Sequence, residues 1–216
     1  MVLEEWEGVL GVSATVSTVL QFLSGVPVCV VFYQRKTTGD SSCLSFLAGV
    51  CMSCVCYNYG VLIHNTTLQT VNTAGLVLQT IYTAVFYTYC SHRTRTGRML
   101  GLASVFVLSV QAYVLSEDDI SLARTRVGLL GALLSITYSS APLANLPTVF
   151  KTRNTETLPY YLILATVLAT AQWSLYGVII EDNIIKIPNL VGFIAAVLQL
   201  SLFCCFSSNK SVKTIV

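Results

Sequence analysis

The sequence predicts an all-α membrane protein, with seven transmembrane helices as two parallel three-helix repeats joined by a linker helix (3+1+3). Three observations carry this. Hydrophobic residues make up 54% of the 216 positions and charged ones only 10%, with a mean hydropathy of +0.71. A soluble domain carries about 25% charged residues because its surface must be hydrated, so most of this surface faces lipid. Basic residues concentrate in alternate connections between the apolar stretches, and short motifs near one end of the chain recur in register near the other.

A helix needs about 20 mostly apolar residues to cross a hydrocarbon core roughly 30 Å thick. Seven stretches meet or approach this, at residues 8–33, 43–63, 68–90, 99–115, 127–150, 158–180 and 184–206. The first follows Glu4, Glu5 and Glu7 rather than a basic leader, so it reads as a retained span and not a secretory signal. It carries Pro27 late in its length. The second ends at Tyr59-Gly60, and the third opens on Asn72-Thr73-Ala74-Gly75. The fourth is the shortest. The fifth carries Pro142, the sixth carries Pro159 early and Tyr176-Gly177 near its end, and the seventh opens on Asn189-Leu190-Val191-Gly192. Pro188 is expected to break the seventh helix near its outer end. The organisation is then a first repeat over 1–92, a linker helix with flanking loops over 93–126, a second repeat over 127–206 and a tail over 207–216.

Charge sets the orientation. One side holds Arg35, Lys36, Arg93, Arg95, Arg98, Lys151, Arg153, Lys210 and Lys213; the other holds Arg124, Arg126 and Lys186 among eight acidic residues. The positive-inside rule makes the first side cytoplasmic, placing the N-terminus outside and the C-terminus inside. Of the sequons Asn65-Thr66-Thr67 and Asn209-Lys210-Ser211, only the first then lies outside, in a loop that hugs the membrane.

The repeat is legible by eye. Thirteen residues separate Tyr59 from Asn72, and thirteen separate Tyr176 from Asn189. Pro27 and Pro142 are each followed by a short apolar stretch and a basic, Thr-containing turn. A three-span unit duplicated directly would insert upside down. The fourth span restores the orientation, so both copies run the same way about an axis along the membrane normal. The SWEET carriers are a standing example of such parallel repeats.

In its motifs the chain closely resembles that family, the SWEET (saliva-type) sugar facilitators, and particularly their animal branch. The residues that carry the resemblance are Gly25-x-Pro27, Thr38-Gly39-Asp40-Ser41-Ser42, Tyr59-Gly60, Val71-Asn72-Thr73, Ala141-Pro142-Leu143, Leu158-Pro159, Trp173-x-x-Tyr176-Gly177 and Ile187-Pro188-Asn189. They cover nearly the whole chain. The resemblance implies a facilitative uniporter of glucose-like monosaccharides or disaccharides in the plasma, Golgi or endosomal membrane, working by alternating access. It also implies a homo-oligomer.

Asn72 and Asn189 occupy equivalent places, and an amide both donates to and accepts from sugar hydroxyls without burying a charge. Each could equally cap or bond a neighbouring helix; the resemblance assigns them to the sugar site. Trp173 lies well inside its span, and the family places a sugar-stacking residue there. The equivalent position in the first repeat is Cys56, which leaves the stacking one-sided. The resemblance also makes Pro27, Pro142 and Pro159 hinge prolines, with Ser45 standing where a fourth is usual. Tyr59 and Asp182 resemble an outer gate in which a phenol and a carboxylate close by a hydrogen bond; by itself, Asp182 would read as a solvated loop residue beside Glu181.

Other classes fare worse. No span interior contains Asp, Glu, Lys or Arg, whereas a proton-coupled carrier of the related PQ-loop class needs a titratable group in the membrane. A seven-span receptor would share the topology but not the duplication. Two histidines, both in loops, and no clustered nucleophile and base argue against an enzyme. Cys51-x-x-Cys54 lies mid-span with no histidine nearby and reads as packing rather than a metal site. No cofactor, metal or nucleic acid is expected; the partners are the sugar and the bilayer.

Overall fold

The computed structural model describes residues 2–140, 143, 146–155 and 158–206. Nine helices lie among them: α1 (Val2–Phe22), α2 (Gly25–Arg35), α3 (Leu44–Leu62), α4 (Thr66–Tyr89), α5 (Arg93–Ser116), α6 (Ile120–Ser140), α7 (Leu146–Thr152), α8 (Tyr160–Ile179) and α9 (Asn183–Cys205). The first expected span is α1 plus α2, and the fifth is α6 plus α7; the other five are single helices. Pro142 lies outside the described residues.

Among the described residues six segments are long and apolar enough to cross a membrane, α1 and α2 counting together as Trp6–Arg35. The third expected span, α4, is 24 residues long but carries seven threonines, Asn72 and two glutamines, and falls short on hydropathy. Hydroxyls on a spanning helix are tolerated where they bond the carbonyl one turn back, as Thr70 and Thr73 do at 2.8 Å. The fourth span is longer than its apolar run, because Arg93, Arg95 and Arg98 continue α5 past the hydrocarbon. Hydropathy marks the buried length of a helix, not the helix.

Much of the two repeats matches at an offset of 117, the separation of Tyr59 from Tyr176 and of Asn72 from Asn189. Their breaks match too. Lys36 (φ 54°) and Arg153 (φ 49°) end the first spans in left-handed conformations, and His64 (φ 56°) and Glu181 (φ 55°) end the second. Left-handed backbone is costly away from glycine, so its recurrence in equivalent turns follows from a shared backbone and not from residue type. One residue later, Asn65 and Asp182 cap the third spans. Asn65 accepts from Leu68 N at 2.8 Å, and Asp182 accepts from Ile184 N and Ile185 N at 2.8 and 3.2 Å. Such caps each contribute about 1 kcal/mol.

Within each repeat the third span packs between the first and second: α4 against α1 and α3, α9 against α6 and α8. Between repeats, α1 packs on α8 and α3 on α6. The result is a closed ring in the order α1, α4, α3, α6, α9, α8, with α4 and α9 opposite one another. The linker α5 stands outside the ring against α3. Lipid-embedded helices associate through close packing at small residues, and Gly60 and Gly177 make these crossings. A Cβ on Gly60 would stand 3.1 Å from Gln69 N, and one on Gly177 would stand 2.6 Å from Lys186 N.

The prolines fall at helix starts. Pro27 is in the first turn of α2, beyond the break at Leu23–Ser24. There the Tyr82 hydroxyl donates to Phe22 O at 3.2 Å, satisfying a carbonyl freed by the break. Pro159 is the N-cap of α8 and stands opposite Cys43, the N-cap of α3, while Ser45 lies inside the first turn of α3. Pro188 corrects an expectation. It lies inside α9 without ending it. At the sixth position it forfeits one backbone bond, which the buried packing of Pro188 and the double cap at Asp182 outweigh.

Three apolar clusters divide the interior. One joins both repeats and includes Ala14, Val55, Tyr59, Val71, Val127, Trp173, Tyr176 and Ile185. The other two each belong to one repeat: Phe32, Cys43, Leu47, Phe86 and Cys90, and Val149, Leu158, Ile163 and Leu202. The shared cluster fills the end near the acidic loops. The separate clusters lie at the basic end, beside Arg35, Arg93 and Lys151.

Candidate functional site

At the acidic end the repeats are clasped by two reciprocal hydrogen bonds. The Tyr59 hydroxyl donates to Asp182 Oδ2 at 2.7 Å. The Asn65 amide donates to the Tyr176 hydroxyl at 2.7 Å. The two pairs are related by the 117-residue offset, so each repeat offers one phenol and one capping Asx side chain to the other. Tyr59 and Asp182 are both buried, and Asp182 is a working cap rather than a solvated loop residue.

The phenol rings seat over glycines of the opposite repeat. A Cβ on Gly128 would lie 2.7 Å from Tyr59 Cε2, and one on the equivalent Gly11 would lie 3.2 Å from Tyr176 Cε2. At Gly128 a side chain would force the ring to shift, and at Gly11 it would crowd it. Sequence reading had placed Tyr59 with Asp182 but missed Asn65, Tyr176, Gly11 and Gly128. The offset that pairs Asn72 with Asn189 also pairs these, so the signal was present. Asn65 was read as a sequon; its nitrogen, the atom a glycan would take, is the donor to Tyr176.

One turn deeper, the cross-repeat contacts continue. The Trp173 indole N–H donates to Thr18 Oγ1 at 2.8 Å, and Thr18 in turn donates to Ala14 O at 2.8 Å. The Trp173 ring meets Tyr176 edge-on, with centroids 5.4 Å apart at 84°. At the equivalent position Cys56 of α3 faces α6, its Sγ 3.7 Å from where a Cβ on Gly131 would stand. Trp173 and Cys56 thus occupy equivalent positions 117 residues apart, and Trp173 braces α8 to α1. Gln21 donating to Thr166 and Gln172 donating to Ser13, both at 2.6 Å, add to the α1–α8 seam.

Asn72 and Asn189 adopt the same conformation. Each donates from Nδ2 to the carbonyl four residues back, Leu68 O at 2.8 Å and Ile185 O at 2.7 Å. Neither bonds another helix among the contacts described, so each Oδ1 is left to accept from a third party. Asn72 is buried and Asn189 half-buried. A groove lined by Tyr57, Gln69, Thr70, Thr73 and Val77 opens on the outward face of α3 and α4 and includes neither asparagine. Trp173 itself is buried, its indole N–H taken by Thr18 and its ring packed edge-on against Tyr176.

Residues 8–94 and 125–211 each match the family model described as "Sugar efflux transporter for intercellular exchange". The chain belongs to the SWEET family. A sugar transporter SWEET1 of Drosophila pseudoobscura pseudoobscura is 36% identical over 203 residues, 91% of this chain and 88% of that protein. The SWEET1 of Caenorhabditis elegans is 29% identical over 95% of this chain and 68% of its own length. That of Mus musculus is 32% identical over 72% and 71%. The solved structure of a eukaryotic SWEET transporter matches with a TM-score of 0.89 at 28% identity, covering 97% of this chain and all of that one. SWEET proteins are transporters and not enzymes, and this member is an integral, multi-pass membrane protein.

Proposed function

We propose that this protein is a facilitative sugar uniporter that moves glucose-like monosaccharides by alternating access. The observation that carries the reading is the division of the interior: one core shared across the repeats at the acidic end, two separate cores at the basic end. A ring clasped at one end and parted at the other is the form expected of a carrier facing the basic side. Opening the Tyr59–Asp182 and Asn65–Tyr176 pairs while the basic ends close would present Asn72 and Asn189 to the other side. The breaks at Leu23–Ser24 and at the start of α8 supply the bends such rocking needs.

Asn72 and Asn189 bind sugar hydroxyls from opposite sides of the axis, with Trp173 stacking on the pyranose once the repeats move, and Cys56 opposite it. Tyr59 and Asp182 form the outer gate, and Pro27, Pro142 and Pro159 lie at its hinges. The nine-to-three basic bias puts the N-terminus outside a plasma membrane, and the carrier works as a homo-oligomer. No span interior carries Asp, Glu, Lys or Arg to couple transport to protons.

The test is flux. Purified protein in liposomes is expected to equilibrate labelled glucose down its gradient, with a rate unchanged by a pH gradient or a membrane voltage. A rate that follows the proton gradient would favour a proton-coupled carrier. No uptake across a panel of hexoses and disaccharides, in a sample shown to be folded, would refute the function.

A further inference from the structure

Gln79 lies on α4 seven residues beyond Asn72. Two helical turns bring it back to within about 20° of the same face, about 10 Å nearer the basic end. Gly75, midway between, faces Ser53 of α3 and Phe22 of α1, so this stripe of α4 looks inward where its two neighbours meet it. Gln79 is only 6% exposed, and its Oε1 is buried with no hydrogen-bond partner among the described residues. Buried amide oxygens normally find a donor.

The room for this amide is made by Gly49 of α3. A Cβ there would stand 2.8 Å from Gln79 Cδ and 3.1 Å from its Nε2. The fold itself does not ask for the amide, because the residues 117 further on are Ala196 and Thr166, and Ala196 is as well buried. Gln79 also sits between Val71 of the shared core and Phe86 of the first repeat's own core, at the level where the repeats part. It is a one-sided acceptor, on the Asn72 stripe, at the point where a sugar leaving the asparagine pair would next arrive.

We propose that Gln79 is a second sugar-contacting residue, its Oε1 accepting a hydrogen bond from a substrate hydroxyl as the sugar passes toward the basic end, and that it helps select which sugars pass. This rests on the transport reading above. The test is proteoliposome uptake of glucose and its single-deoxy analogues by wild type, Gln79→Met, Gly49→Ala and Asn72→Ala. Wild type is expected to lose roughly three- to tenfold in uptake efficiency on the analogue lacking the contacted hydroxyl. Gln79→Met is expected to lose that much on glucose and to stop discriminating against the same analogue. Gly49→Ala, which crowds the amide out of place, should flatten the same step and stands in for Gln79→Met if the latter fails to fold. An analogue profile in either folded variant that parallels wild type overturns the assignment. Loss of flux in Asn72→Ala alongside such a profile would leave the transport reading standing and remove Gln79 alone. Absence of wild-type flux overturns both.

Discussion

Replacing Tyr59 by Phe removes one oxygen and keeps the ring seated over Gly128. What is lost is the 2.7 Å hydrogen bond to Asp182 Oδ2. A hydrogen bond to a carboxylate contributes about 1.5–3 kcal/mol net. In the open state the phenol and carboxylate bond water instead, so the loss falls on the clasped state and raises the open population roughly 10- to 150-fold. The second pair, Asn65 to Tyr176 at 2.7 Å, is neutral and contributes about 0.5–1.5 kcal/mol. It keeps the variant mostly clasped, which leaves room for a second step. Cys56 is a native reporter: a free, half-buried thiol one turn below Tyr59 on α3. A membrane-impermeant thiol reagent applied from the acidic side is expected to label Cys56 at least about tenfold faster in Tyr59→Phe, with Cys56→Ser giving the background. Adding Tyr176→Phe should raise the rate again by roughly 2- to 10-fold. Equal labelling rates in wild type and both variants would refute the idea that these phenols hold the repeats closed.

Other substitutions separate packing from transport. Gly177→Ala brings a Cβ to 2.6 Å from the Lys186 backbone nitrogen and is expected to cost about 1–3 kcal/mol, seen as a lower melting temperature in detergent. Gly97→Ala and Gly101→Ala meet nothing within 4 Å and should leave melting unchanged or slightly raised; equal effects at all three positions would argue against the close crossing. Trp173→Phe keeps an aromatic ring but loses the bond to Thr18, about 0.6–1.7 kcal/mol in a membrane interior. Thr18→Val should cost a similar amount, and the double variant no more than the larger single one; additive losses would mean the two side chains act apart. Asn72→Ala and Asn189→Ala are each expected to reduce sugar flux at least about tenfold while leaving melting within about 1 kcal/mol of wild type, since among the described residues each amide bonds only its own helix. Full flux in either would remove that residue from the site.

The parts legible in the sequence were those encoded locally. Hydropathy and charge asymmetry are read window by window, and they yield the spans because lipid allows little backbone structure except complete helices. The duplication was visible because Tyr-Gly and Asn-x-x-Gly had to stay at fixed spacing to make the same crossing twice. Helix ends were less legible. The arginines of α5 and Asp119, which accepts from Ser121 N and Leu122 N at the start of α6, extend helices beyond their apolar runs. Pro188 was misjudged because its effect depends on what surrounds it, not on proline alone.

By itself, then, the sequence determined that this chain is a duplicated seven-span helical protein, and it paired Asn72 with Asn189 and Cys56 with Trp173. Only the tertiary structure decided the ring order, since which helices touch across repeats depends on packing between residues more than a hundred positions apart. It alone turned one expected Tyr–Asp contact into two reciprocal ones, by bringing a sequon asparagine to Tyr176. It also decided which end is closed. Closure is a property of contacts between the two repeats, and two conformations of one sequence share every local pattern while differing in those contacts.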